Sequence, residues 1–131
     1  MNEDDLKGRT KQFALRVIAL VEKLPNTVAG RKIGDQLVRA GTSVGANYRA
    51  ACRGRSKAEF VAKLGTVEEE ADESAFWMEL VMEAPLLPKK RVALLHDEAV
   101  QIRNIIAQSR ITALRSIRSI ANRKSQIANP P

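Results

Sequence analysis

One stretch constrains this chain more than any other: residues 27–60, where four glycines recur along a segment of helical pattern. Ile33, Leu37, Ala40, Val44, Asn47 and Ala51 fall on one stripe of a helix, and Gly30, Gly34, Gly41 and Gly45 lie beside it. Each interior glycine costs a helix about 0.5–1 kcal/mol relative to alanine. Four of them on one side imply a neighbouring helix packed very close.

The flanking sequence supplies candidate neighbours. Phe13, Val17, Leu20, Val21 and Leu24 form an apolar stripe, which predicts helix 1 over about 9–24, ended by Pro25. Residues 1–8 are polar, end at Gly8 and read as disordered. Asn26 or Thr27 can cap helix 2, over about 28–53. Gly54 suits a left-handed closing residue. Ser56-Lys57-Ala58-Glu59 has the spacing of a capping box and opens helix 3, over about 57–83. So short a turn makes helices 2 and 3 antiparallel.

Phe60, Leu64, Val67, Ala71, Ala75, Met78 and Val81 or Met82 form the core stripe of helix 3, widened by Phe76 and Trp77. Pro85 and Pro88 stop it. Helix 4 is predicted over about 89–120, with Val92, Leu95, Ala99, Ile102, Ile106, Ala113 and Ile117 inward. It outruns helix 1, so its last turns should project past the bundle. The tail, 122–131, is polar with two prolines and reads as loose. The expectation is a single all-α domain, an antiparallel up-and-down four-helix bundle.

Charge is unevenly placed. The net +7 divides into +1 over residues 1–26, +5 over 27–55, −6 over 56–87 and +7 over 88–131. One reading is mutual attraction of acidic helix 3 and its basic neighbours. The other is a basic face left over for a polyanion. Arg31, Asp35 and Arg39 can pair at i,i+4. Arg49 and Arg53 have no acid in reach on their own helix, so they either pair with helix 3 or face phosphate. Asn47, an amide on an apolar stripe, either fixes register through hydrogen bonds or touches a ligand.

Several chemistries are disfavoured by counting. Cys52 is the single cysteine and His96 the single histidine. A di-iron bundle needs two Glu-x-x-His motifs, and the residue three before His96 is Ala93. Cys and His are too few for a zinc site. A magnesium-dependent nucleotide hydrolase needs paired carboxylates on two helices. Glu69-x-x-Asp72 and Glu70-x-x-Glu73 offer one half; adjacent Asp97 and Glu98 lack the spacing for the other. No cofactor, metal or catalytic residue is expected. The acidic N-terminus lacks a signal-peptide pattern, and no run suits a membrane span, so a cytoplasmic protein is expected.

Arg39-Ala40, Ser43-Val44, Ala46-Asn47, Arg53-Gly54-Arg55-Ser56-Lys57 and Glu59-Phe60 together resemble the four-helix-bundle proteins encoded in 23S ribosomal RNA intervening sequences. The resemblance runs from about Phe13 to Leu95 and is clearest from Ile33 to Glu73. The block is also similar to the accessory variability protein of diversity-generating retroelements. The resemblance implies an up-down bundle, a ring-shaped homopentamer and a basic surface that meets RNA, DNA or a reverse transcriptase. It carries over no catalytic residue. Many members follow the asparagine with Ile-Ala-Glu-Gly, where this chain has Tyr48-Arg49-Ala50-Ala51.

The expected function is a non-enzymatic oligomer that binds nucleic acid, or a ribonucleoprotein or reverse-transcriptase partner. The alternative is a self-assembly module without nucleic-acid contact; the third reading is the magnesium-dependent hydrolase. Candidate phosphate-binding residues are Arg39, Arg49, Arg53, Arg55, Lys57, Arg103 and Arg110, because arginine's planar fork can donate two bonds to phosphate. Leu94, Ile105 and Ile111 are apolar residues to spare, and with the glycine-lined side of helix 2 they suggest a subunit interface.

Overall fold

A computed structural model describes residues 1–128. Four helices follow one another: α1 Glu3–Val21, α2 Val28–Cys52, α3 Lys57–Glu83 and α4 Lys89–Ala128. There is no strand among the described residues. Each helix packs on its neighbours in sequence, and α1 closes the square against α4 through a much thinner seam. Opposed residues run in reverse order: Thr10 meets Gly45 and Val17 meets Gly41, while Lys57 meets Ser116 and Glu79 meets His96. The bundle is therefore antiparallel and up-and-down.

The glycine side of α2 faces α1. A methyl at Gly41 would stand 2.7 Å from Val17 Cγ1, and one at Gly34 would stand 3.2 Å from Leu24 Cδ1. At Gly45 it would lie 3.4 Å from the backbone of Thr10. The close helix inferred from the glycines is thus α1 of the same chain, so this side is no spare surface. Thr10 is fully buried there, its hydroxyl donating to Leu6 O at 2.9 Å. That bond removes the cost of burying an unpaired hydroxyl.

α1 starts at Glu3 rather than near Arg9. Asn2 Oδ1 accepts from Asp5 N at 2.8 Å, and Asp5 Oδ2 accepts from Asn2 N at 3.2 Å, a reciprocal cap. Three acids then sit in the first turn, where the helix dipole favours them. Leu6 anchors the turn in the core. Gly8 is tolerated inside the helix. The helix ends at Val21, and Leu24 packs from the following turn.

α2 and α3 keep close to their expected limits. Thr27 caps α2, accepting from Gly30 N at 3.1 Å. Ser56 caps α3, accepting from Glu59 N at 3.1 Å, while Glu59 accepts from Arg55 N rather than Ser56 N. Gly54 is not left-handed. Its missing side chain leaves room for chain crossing: a methyl there would lie 3.0 Å from Ala51 O and 3.4 Å from Phe60 N.

The core holds Phe13, Val17, Leu37, Val44, Leu64, Val67, Met78, Val81, Val92, Ile102 and Ile106. Two expectations change. Tyr48, one residue along from Asn47, is the buried side chain; Asn47 is half-buried and donates to Ser43 O at 2.9 Å. Phe76 does not widen the core but stands half exposed, edge-on to Trp77.

α4 extends to Ala128, beyond the expected end near 120, so residues 122–128 of the expected loose tail are helical. Residues 129–131 lie outside the described part. Forty residues give α4 a length of about 60 Å. Its Ser116 is level with Lys57, the first residue of α3. Residues 117–128 therefore overhang the bundle by about 18 Å. No described helix is long and apolar enough to cross a membrane.

Candidate functional site

The seven candidate cations divide into two groups. Arg39 reaches across to α3, with Nη1 on Glu70 at 3.2 Å and Nη2 on Glu73. Arg103 Nη1 donates to Asp72 at 2.7 Å, and Arg110 Nε donates to Glu68 at 2.9 Å. These three serve as straps between α3 and its two neighbours. Such half-exposed pairs contribute about 0–1 kcal/mol each, but they cancel local positive potential. The i,i+4 pairing of Asp35 with Arg31 and Arg39 does not form: Arg31 turns back to Asn26 and Arg39 to α3.

Arg49, Arg53, Arg55 and Lys57 form the second group. All four are exposed, and none makes an ion pair among the described residues. The antiparallel register that sets Arg39 against Glu70 and Glu73 carries Arg49 and Arg53 past the acidic run of α3. Lys57 Nζ donates to Ser116 Oγ at 2.6 Å, a neutral partner that leaves its charge unbalanced. The α2–α3 turn thus brings uncompensated cations to one end of the bundle. The overhang of α4 rises from that same end and adds Arg115, Arg118, Arg123 and Lys124, also without ion pairs there. Their side chains are exposed. The acids at this end are few: Glu3, Asp4 and Asp5 in the first turn of α1, and Glu59.

Arg115 escaped the sequence reading, and Arg123 and Lys124 were placed in a loose tail. The signal for them was helix propensity, high in Arg, Lys, Gln and Ala, against which the two terminal prolines weighed too heavily. A second cationic cluster was also missed. Arg16 on α1 and Lys23 in the turn that follows it, with Lys90 and Arg91 on α4, surround a groove of about 380 Å³ between α1 and α4 at the opposite end. The seven-residue interval between Arg16 and Lys23 was the available clue.

Carboxylate chemistry has little to work with. Glu68, Glu70, Asp72 and Glu73 hold arginines, and Glu98 accepts from Arg9 at 2.7 and 2.8 Å. No group of three His, Cys, Asp or Glu residues among the described ones is arranged to hold a metal ion. His96 Nε2 lies 2.8 Å from Glu79 Oε2, which ties α4 to α3. Burial pushes the Tyr48 phenol well above its ordinary range and, more weakly, raises the nearby Cys52 thiol. Cys52 is thereby kept as a poor nucleophile.

A model of the family described as 23S rRNA-intervening sequence protein matches residues 4–108. That range takes in α1, α2, α3, the α2–α3 turn and the packed half of α4. The chain belongs to this family. Among solved structures it is similar to a protein of unknown function from the S23 ribosomal protein family of Bacteroides thetaiotaomicron VPI-5482. The two share 27% identity over 84% of this chain and 98% of the other, with a TM-score of 0.76. No curated protein matches the chain. Arg49, Arg53, Arg55 and Lys57 lie within the family match; the α4 overhang lies beyond it.

Proposed function

We propose that this intervening-sequence protein is a non-enzymatic, self-associating accessory protein that binds RNA or DNA by its phosphate backbone. One observation carries the reading: at the α2–α3 end of the bundle eight arginines and lysines make no ion pair among the described residues, while those that reach the acids of α3 are neutralised. Arg49, Arg53, Arg55 and Lys57 are the phosphate contacts, extended by Arg115, Arg118, Arg123 and Lys124 of the overhang. Arg39, Arg103 and Arg110 contribute less, because binding there must first break an ion pair.

Few aromatics are placed to stack on bases. Tyr48 and Phe13 are buried, Phe76 lies far from this end, and half-buried Phe60 is the one partly accessible ring beside Lys57 among the described residues. Sequence preference is therefore weak, since phosphate contacts position but do not discriminate. A ring, pentameric as the resemblance implies, would repeat the basic end around an axis and raise avidity without new contacts. A reverse transcriptase or other ribonucleoprotein component is a partner of the same assembly. The competing reading, a self-assembly module with no nucleic-acid contact, is favoured by the neutralised state of Arg39, Arg103 and Arg110.

Titration with RNA and duplex DNA at increasing salt tests the choice. Affinity should fall with a log–log slope of about −0.9 per phosphate neutralised on duplex. Arg49→Glu with Arg53→Glu should lower affinity and flatten that slope while helicity persists. No binding at about 50 mM salt refutes the nucleic-acid reading and leaves the self-assembly module.

A further inference from the structure

Two patches on this chain complement each other, and neither can reach the other within one molecule. The first is the α1–α4 groove. Its walls carry Arg16, Lys23, Lys90 and Arg91, none ion-paired among the described residues, and no carboxylate lines it. Its floor is apolar: Leu20 and Leu95 are buried, and Leu94 stands 73% exposed at its edge. A groove of this kind does not suit bare phosphate, because a leucine floor is wasted on it. It suits an acidic ridge with an apolar knob.

The second patch is such a ridge. On α3, Glu69, Phe76 and Glu83 recur at seven-residue spacing on the outward face, with half-buried Leu80 beside them. Phe76 is 49% exposed. Glu69 and Glu83 make no ion pair among the described residues, unlike Glu68, Glu70, Asp72 and Glu73. The two free carboxylates lie about 10 Å on either side of Phe76 along the helix. α3 does not contact α1, so the ridge and the groove open on different sides of the bundle. Both lie toward the end opposite the Arg53–Lys57 turn.

We propose that the α3 ridge of one copy seats in the α1–α4 groove of the next, Phe76 entering between Leu20, Leu94 and Leu95 while Glu69 and Glu83 meet the groove cations. The inference rests on the self-association reading above and names its contact. Two unlike patches make a head-to-tail interface, which closes into a ring when the rotation between copies divides a full turn. Burial of an aromatic knob supplies most of the attraction, and the charges set direction and register.

Sedimentation and light scattering at tens of micromolar test it with reversed patches. Glu69→Lys with Glu83→Lys reverses the ridge; Arg16→Glu with Lys90→Glu reverses the groove. Each double variant alone should be monomeric with native circular dichroism. Their mixture should reassociate into oligomers of alternating variants, because native groove then meets native ridge and reversed meets reversed; an odd-numbered ring leaves one mismatched junction, so these oligomers are open or even-numbered. Should a reversed variant misfold, Phe76→Ala and Leu94→Ala replace it, each weakening association by about tenfold or more. Variants that keep the wild-type size, or a mixture that stays monomeric, overturn the contact. A monomeric wild type overturns self-association itself.

Discussion

The glycines show how far a single residue's meaning depends on what faces it. Gly8 and Gly41 both sit inside helices, yet a methyl at Gly8 meets nothing within 4 Å while one at Gly41 strikes Val17. Gly8→Ala should therefore stabilise the protein by about 0.5–1 kcal/mol, the ordinary helix-propensity gain. Gly41→Ala gains the same propensity but overpacks a buried valine, at a cost of about 1–3 kcal/mol, so its net effect is destabilising. Denaturant midpoints should move in opposite directions; equal shifts would mean that the α1–α2 seam tolerates a methyl. The close seam was legible in residues 30–45, because interior glycines need a reason. The identity of the buried side chain was not: Asn47 and Tyr48 lie 100° apart, and a small tilt of α2 decides which one points inward. Nor were the partners of Arg39, since long side chains reach across to a neighbouring helix as readily as along their own.

At the scale of elements, boundaries set by caps and prolines were readable, and those set by neither were misjudged. Ser56 and Pro88 marked real limits, whereas α1 stops at Val21, short of Pro25. The start of α1 was missed because Gly8 drew more weight than Asn2-x-x-Asp5, although that pair has capping spacing. The end of α4 was missed because residues 121–127 are all exposed, so no buried apolar stripe announces them. Removal of residues 121–128 should thus cost helical circular dichroism without lowering Tm by more than a few degrees. The same deletion should weaken low-salt RNA binding by removing Arg123 and Lys124. A large fall in Tm would show instead that the overhang packs on the bundle.

Across the whole molecule, the basic end and the groove–ridge pair lie at opposite ends, so binding and assembly are separable. Phe76→Ala changes no charge and lies far from Arg49–Lys57. It should leave the salt slope per subunit intact while lowering apparent affinity for a long RNA, through lost avidity. Equal affinity for short and long RNA in both proteins would mean that the basic ends never act together. The fold class was legible because four apolar stripes and three short connections leave few alternatives. The site was only half legible. Net charge by segment located the cations, but which of them stay uncompensated depends on the register between α3 and α4, and one sequence does not display that register.

The overhang of α4 gives the molecule polarity. A rotation carries one subunit onto the next without inverting it. In a ring whose axis follows the bundles, every overhang therefore leaves from the same rim, and the particle has a bristled face and a bare one. Such a particle can sit at one side of a polyanion, or at one end of a larger complex, but it cannot bridge two of them symmetrically. Any machine that uses it meets an object with a front and a back.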